Sequence, residues 1–127
     1  MTISEIHDGQ QKKLSAMFEE LGVFFAFSKQ QFEQSRKEGV EYVSGFGGMI
    51  IPKENVRLLN GRFDGIHGET AAQMCKHIPM EEYILYELYN HEAFYTGEVN
   101  EVLELTRSYY PDCTLENVYK VYRANNH

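Results

Sequence analysis

The residues best suited to chemistry are His91 and Glu92, which stand next to each other within the apolar and aromatic stretch ILYELYNHEAFYTGE. An imidazole and a carboxylate are side chains that enzymes often use as general acids and general bases. Such a pair needs a concave pocket around it, which a sequence does not show. His91 and Glu92 are therefore the candidate catalytic residues if the protein is an enzyme.

A metal site is a second chemistry to consider at the same place. Glu87 and His91 stand four residues apart, and helical side chains at this spacing are neighbours that can share one ion. Two ligands do not complete a site, and a carboxylate di-metal bundle needs further Glu and Glu-x-x-His sets on other helices. The sequence contains no such set. We therefore predict no metal and no other cofactor.

The position of the pair along a helix favours a structural role instead. At about 100 degrees per residue, His91 lies within one stripe of the helix and Glu92 lies on its edge. The other members of this stripe are Met80, Ile84, Leu88 and Tyr95. Because the stripe is apolar, we expect it to face the core. Buried polar groups need partners, so we predict that His91 and Glu92 bond to backbone groups or tyrosine hydroxyls and hold neighbouring segments in place.

Tyrosines on the other side of this helix indicate a binding surface. Tyr83, Tyr86 and Tyr89 lie away from the apolar stripe, and Asn90 follows them. Tyrosine is enriched in protein interfaces because it buries a large area while keeping a polar tip. The alternative is that a helix with aromatic residues all round is the central one and is covered on both sides.

Length, charge and cysteine usage limit the class of protein. A chain of 127 residues with 43% hydrophobic residues is enough for one domain, spanning residues 1–127, with a core of its own. The formal net charge is −7 and the basic residues are scattered, which argues against direct binding of nucleic acid. Cys75 and Cys113 form no Cys-x-x-Cys pair, and no apolar run approaches 18 residues. We expect a cytoplasmic protein without a membrane span.

Short-range signals predict the elements of the first half. Thr2 and Glu5 have the spacing of a capping box, and Gly22 is suited to end the helix that follows. The run VFFAF predicts a strand over residues 23–27, and Ser28 with Gln31 repeats the capping pattern for a short helix. Two further strands, over residues 40–44 and 48–51, flank the glycines of GFGG and predict a hairpin.

Glycine-rich segments are the places where a ligand loop is to be considered. The glycines of GFGG are followed by an apolar strand and not by a helix, so turn geometry is favoured over phosphate binding. The segment NGRFDGIHGE, which includes Gly61 to Glu69, predicts a flexible or functional loop. Asp64, His67 and Glu69 within it are candidate ligands for a cation, although they lack the spacing of a calcium loop.

The second half predicts helices alone. A short helix over residues 70–77 precedes a longer one from Met80 to Tyr95 that Gly97 ends, and two more form a helical hairpin. The predicted fold class is α+β: a small antiparallel sheet of about three strands packed by helices, with an all-helical C-terminal half.

Three strings together carry a resemblance. ILYELYNHEAFYTGE, FFAFSKQQF and VYKVYRANN resemble a group of small uncharacterised proteins encoded by bacteriophages and bacterial mobile elements. In that group an FFAFS segment precedes a helix with the pattern YEL-NHE-YTG. The resemblance implies a cytoplasmic accessory protein and transfers no catalytic residue. It marks as motif residues Asn90, His91, Glu92, Tyr95 and Gly97.

Two functions are compatible with these patterns. The first is a small cytoplasmic accessory protein of phage or mobile-element origin that binds another protein, or itself, without catalysis. Its predicted binding residues are Tyr83, Tyr86, Tyr89 and Asn90, with His91, Glu92, Tyr95 and Gly97 as a structural motif. The alternative is a small enzyme that uses His91 and Glu92 as acid and base or as metal ligands.

Overall fold

The computed structural model describes residues 1–126, which divide into two compact units. The terminal unit comprises Met1–Asp8 and Gly68–His127, and the central unit comprises Gly9–His67. Helices α1 (Ile3–Leu21) and α3 (Val56–His77) each contribute residues to both units. The single domain over residues 1–127 stays a prediction.

The first helix begins and ends where the sequence predicts. The backbone N–H of Glu5 donates to Oγ1 of Thr2 at 3.1 Å, which satisfies one of the amides left open at a helix start. Gly22 follows the last residue of α1 with φ of 72°, a conformation that glycine adopts without a steric cost. The first helix is therefore positioned by interactions between near neighbours in sequence.

The central unit contains the sheet. Its elements are β1 (Phe24–Phe25), α2 (Lys29–Ser35), β2 (Tyr42–Ser44) and β3 (Met49–Pro52). All pairing is antiparallel in the order β1-β3-β2, with Phe24 opposite Ile50 and Val43 opposite Ile51. The predicted hairpin around GFGG is confirmed, because a 3-10 turn with positive φ at Gly47 and Gly48 joins β2 to β3.

One face of this sheet packs on the two long helices. Side chains from α1, β3 and α3 form a buried cluster with Val23, and the cluster consists of Met17, Leu21, Val23, Ile51, Leu59 and Ile66. Ser28 caps α2 by accepting from the N–H of Gln31 at 3.2 Å, as predicted. The sheet is thus held by a small apolar core and by local caps.

The predicted loop at Gly61 to Glu69 is wrong. These residues lie inside α3, which runs unbroken from Val56 to His77 and includes the short helix predicted at 70–77. Three glycines lower helix propensity by about 1 kcal/mol each, but a buried stripe along α3 outweighs them; its members are Leu59, Ile66, Thr70 and Met74. The candidate cation ligands Asp64, His67 and Glu69 are therefore helical residues, and no group of three metal-binding side chains occurs within residues 1–126.

The terminal unit is helical, as predicted. It contains α4 (Met80–Asn90), α5 (Ala93–Thr96), α6 (Asn100–Arg107) and α7 (Leu115–Asn125). Two buried clusters hold it together. One joins α4 to the later helices through Ile84, Leu88, Val102 and Val118. The other joins Ile3 and Ile6 to Met74, Ile78 and Tyr83.

The fold class α+β, with a three-stranded antiparallel sheet, is confirmed. No helix among residues 1–126 has both the length and the apolar character needed to cross a bilayer. A second predicted element is wrong: the helix expected from Met80 to Tyr95 ends at Asn90. This break determines where the candidate site residues lie.

Candidate functional site

His91 and Glu92 form the link between α4 and α5. Glu92 has φ of 52° and ψ of 32°, and it is the only residue other than glycine with positive φ in residues 1–126. Its N–H donates to the carbonyl of Tyr89 at 3.2 Å, and its own carbonyl accepts from the N–H of Tyr95 at 2.9 Å. Left-handed backbone is unfavourable for residues with a Cβ, so α4 cannot continue through this position.

The break moves two motif residues out of the predicted core stripe. Tyr95 is 94% exposed and Glu92 is exposed as well. The prediction that Glu92 is buried and pins a neighbouring segment is therefore wrong, because the chain changes direction before it. Gly97 ends α5 in the left-handed conformation, and its N–H donates to the carbonyl of Ala93 at 2.8 Å, whereas the sequence predicted it as the end of the longer helix from Met80.

His91 bonds to a carboxylate and not to the backbone or a tyrosine. Its Nε2 lies 3.1 Å from Oε2 of Glu87, whose side chain is 6% exposed, and its Nδ1 lies 3.7 Å from Oε2 of Glu101. The two carboxylates approach opposite nitrogens of one ring, so they do not converge on a common metal position. At 3.7 Å the contact with Glu101 is longer than a hydrogen bond, so Nδ1 is the ring nitrogen that proton transfer by His91 would use.

Tyr83 completes a polar series along one face of α4. Burial, followed by the negative charge of Glu87, raises the pKa of the Tyr83 hydroxyl, and a hydrogen bond to Glu87 contributes in the same direction. Tyr83, Glu87 and His91 stand at successive positions four apart, so their side chains meet on one face. We name these three residues the polar ladder.

The polar ladder borders an open cleft of about 410 Å³, which also includes Tyr86, Asn90, Glu101 and His7. The ring of His7 lies 5.9 Å from that of Tyr86 and 6.3 Å from that of Tyr109. Two imidazoles near a buried carboxylate give this cleft the chemical groups that the enzyme alternative needs.

An aromatic groove lies on another side of the helix break. It has a volume of about 760 Å³ and is lined by Leu88, Tyr89, Glu92, Phe94, Tyr95, Asn125 and Asn126. Tyr89 is 64% exposed, and its ring centre lies 5.1 Å from that of Phe94. The other neighbour of Phe94 is Tyr122, whose ring stacks on it at 5.3 Å. We use the name aromatic groove for this set of lining residues.

The predicted binding residues do not share one surface. Tyr83 is buried, Tyr86 is half-buried in the cleft, and Tyr89 lies exposed in the aromatic groove. Tyr83 therefore offers no area to a partner, because α4 is covered on that side. Sequence reasoning missed Phe94 as a groove residue. The available signal was a group of weak helix formers, Asn90 and His91 before it and Thr96 and Gly97 after it, which marks a helix end.

Negative charge is concentrated in the terminal unit. This unit contains twelve acidic and four basic side chains, whereas the central unit contains seven acidic and eight basic ones. Residues 77–106 contain seven glutamates and no lysine or arginine. The helices around the break and the aromatic groove therefore form a locally acidic region.

Comparison with known proteins shows the family of this chain. Neither the curated proteins nor the solved structures contain a match to it. Residues 7–124 match the family of unknown function DUF7659, and this match includes every residue of the polar ladder and all of the aromatic groove except Asn125 and Asn126. Since the match covers nearly the whole sequence, the chain belongs to the family of unknown function DUF7659.

Proposed function

We propose that the protein acts by binding another protein, without catalysis of its own, and that the aromatic groove is its contact surface. The observation that carries this proposal is the exposure of Tyr89 and Tyr95, at 64% and 94%, beside Leu88 and Phe94. Tyrosine and phenylalanine side chains each bury 150–250 Å² when covered. Clustered exposed aromatics are therefore typical of the energetic centre of a protein interface.

The charge of the surrounding helices supports a protein partner with a basic surface. The seven glutamates of residues 77–106 attract positive charge over about one Debye length and repel phosphate backbones. Charge complementarity of this kind raises association rates and excludes unsuitable partners. Direct binding of nucleic acid is accordingly not part of the proposal.

The wider role proposed is that of an accessory protein in the cytoplasm, of phage or mobile-element origin. The resemblance of the YEL-NHE-YTG segment supports the origin, and the unpaired spacing of Cys75 and Cys113 in the sequence supports a reducing compartment. Fractionation of cells that express the native gene tests the location directly. Recovery of the protein outside the cytoplasmic fraction would contradict it.

A small enzyme is the second candidate function. The specific observation in its favour is the buried carboxylate of Glu87 beside an open cleft that contains His7 and His91. Histidine and carboxylate side chains are the groups that general acid and base catalysis most often uses. Glu87→Gln would abolish such an activity, whereas Tyr95→Glu, which lies outside the cleft, would not.

The test of the proposed function is affinity capture from a lysate of the native cell with matched variants. Tyr95→Glu places a charge in the aromatic groove, and Phe46→Glu is the control, since Phe46 is 96% exposed in the central unit. We expect one stoichiometric partner that the wild type and Phe46→Glu retain and Tyr95→Glu loses.

Light scattering on the purified protein separates this result from self-association. A dimer that Tyr95→Glu dissociates would show that the groove binds a second copy of the chain. Capture that is equal for Tyr95→Glu and Phe46→Glu would contradict the groove as the contact surface.

A further inference from the structure

We infer that the aromatic groove binds an arginine-bearing segment of the partner, with the guanidinium held between the exposed tyrosine rings and the carboxylate of Glu92. This inference rests on the proposed function and adds the chemistry that the groove recognises. It follows from the composition of the groove, the backbone at Glu92 and the distribution of cations around it.

The groove combines one carboxylate with aromatic faces. Glu92 lines it together with Tyr89, Phe94 and Tyr95, and the rim carries the amides of Asn125 and Asn126. The amide nitrogen of Asn125 donates to the carbonyl of Val121 at 2.9 Å, and its side-chain oxygen is not part of this bond. An aromatic surface, an anion and an amide acceptor together match a group that is cationic, planar and rich in N–H donors.

The backbone conformation of Glu92 determines where its carboxylate lies. A glutamate with φ of 52° costs about 1 kcal/mol relative to glycine, which would adopt this conformation freely. The Glu92 side chain makes no capping hydrogen bond to α5. The left-handed turn at this position leaves the Glu92 carboxylate among the groove residues.

Within residues 1–126, no lysine or arginine lines the aromatic groove. No lysine or arginine occurs within residues 77–106, and Arg123 of α7 pairs with Glu116 at 2.8 Å. The charge of Glu92 is therefore available to a cation from outside. A segment with several arginines also satisfies the surrounding glutamates.

Arginine fits the groove better than lysine. Its guanidinium is planar and weakly hydrated, stacks on aromatic rings and bonds to a carboxylate through two parallel N–H groups. A lysine ammonium is a compact, strongly hydrated charge that makes neither the stacked nor the two-pronged contact. The groove should therefore distinguish the two residues although both carry one positive charge.

The test is titration of the full chain with three synthetic peptides of one sequence that differ only at three positions. These positions hold arginine, lysine or citrulline, and citrulline keeps the planar shape without the charge. Binding is measured by nuclear magnetic resonance and fluorescence anisotropy. We expect the arginine peptide to bind with shifts at Tyr89, Phe94, Tyr95 and Asn125, the lysine peptide to bind about three- to tenfold more weakly, and citrulline to abolish binding.

Matched variants separate recognition in the groove from general attraction between charges. Glu92→Gln and Tyr95→Ala should each weaken the arginine peptide by about three- to tenfold. Glu98→Gln is the charge control, because its side-chain oxygen can still accept from the N–H of Asn100, and Phe46→Ala is the aromatic control. Circular dichroism confirms that each variant is folded.

The inference would be overturned by equal binding of the citrulline peptide, by equal losses in Glu92→Gln and Glu98→Gln, or by shifts that lie outside the groove. If a partner is captured through Tyr95 but no arginine peptide binds, this inference fails and the proposed function stands. If arginine peptides bind in the groove but capture does not depend on Tyr95, the proposed function fails as stated.

Discussion

The imidazole of His91 lies 3.1 Å from the carboxylate of Glu87, which is buried within α4. This contact spans the last turn of the helix and lies directly before the left-handed residue Glu92. The side chain of His91 therefore joins the buried carboxylate of Glu87 to the point where α4 ends. Four predictions follow from the arrangement of this region and of the helices around it.

His91→Ala should lower the free energy of unfolding by about 1–3 kcal/mol, because Glu87 then remains buried without its imidazole partner. Urea denaturation measures the change. Glu101→Gln is the control: Glu101 is exposed and lies 3.7 Å from the other ring nitrogen, so its loss should cost no more than about 0.5 kcal/mol. Equal effects of the two variants would contradict a special role for Glu87.

Glu92→Gly should raise the free energy of unfolding by up to about 1 kcal/mol, because glycine adopts φ of 52° without a clash. Glu92→Gln keeps the strained backbone and should leave the stability unchanged. Thermal melts of both variants give the comparison. A destabilised Glu92→Gly would mean that the glutamate side chain contributes to folding.

Gly61→Ala, Gly65→Ala and Gly68→Ala should each stabilise the protein by about 0.5–1 kcal/mol, since these glycines lie inside α3 and a Cβ there meets no atom within 4 Å. Chemical denaturation measures each change. Gly48→Ala should instead destabilise the protein, because Gly48 has φ of 81° and the Cβ of an alanine there would approach the ring of Phe27 to 2.5 Å. Stabilisation by Gly48→Ala, or destabilisation by all three α3 variants, would contradict this account.

Alkaline pH should destabilise the fold through Tyr110. Burial raises the pKa of its hydroxyl from 10 to about 12, and the hydroxyl donates to the carbonyls of Ile78 and Met74. As the pH rises, the Tyr110 hydroxyl loses its proton in the unfolded chain before it does so in the folded chain. Its contribution to the free energy of unfolding is therefore complete below about pH 10 and is lost as the pH rises through about 12.

Absorbance of tyrosinate near 295 nm, recorded with urea melts between pH 8 and 12, follows this transition. Tyr110→Phe should reduce the steepness of the alkaline loss, whereas Tyr95→Phe, at a 94% exposed position, should not. A Tyr110→Phe protein with an unchanged pH dependence would rule out Tyr110 as a cause.

Local chemistry made several features predictable from the sequence. The caps at Thr2 and Ser28 and the stop at Gly22 depend on residues within one helical turn, and all three occur as predicted. The hairpin around GFGG is of the same kind, because positive φ at its glycines is an intrinsic preference. These elements are enough to define the α+β class.

Only the tertiary structure decided how the helices run and which side chains are exposed. The glycines of α3 locally favour a loop, but burial of Leu59, Ile66 and Met74 stabilises the helix by more than the glycines cost. Likewise, the apolar residues of α4 keep their helical spacing in the sequence past Asn90. The chain nevertheless turns at Glu92, and Ala93, Val99 and Val102 join the core. That turn exposes Tyr95 and Glu92 and creates the aromatic groove, because packing between segments distant in sequence outweighs the preference of a single residue.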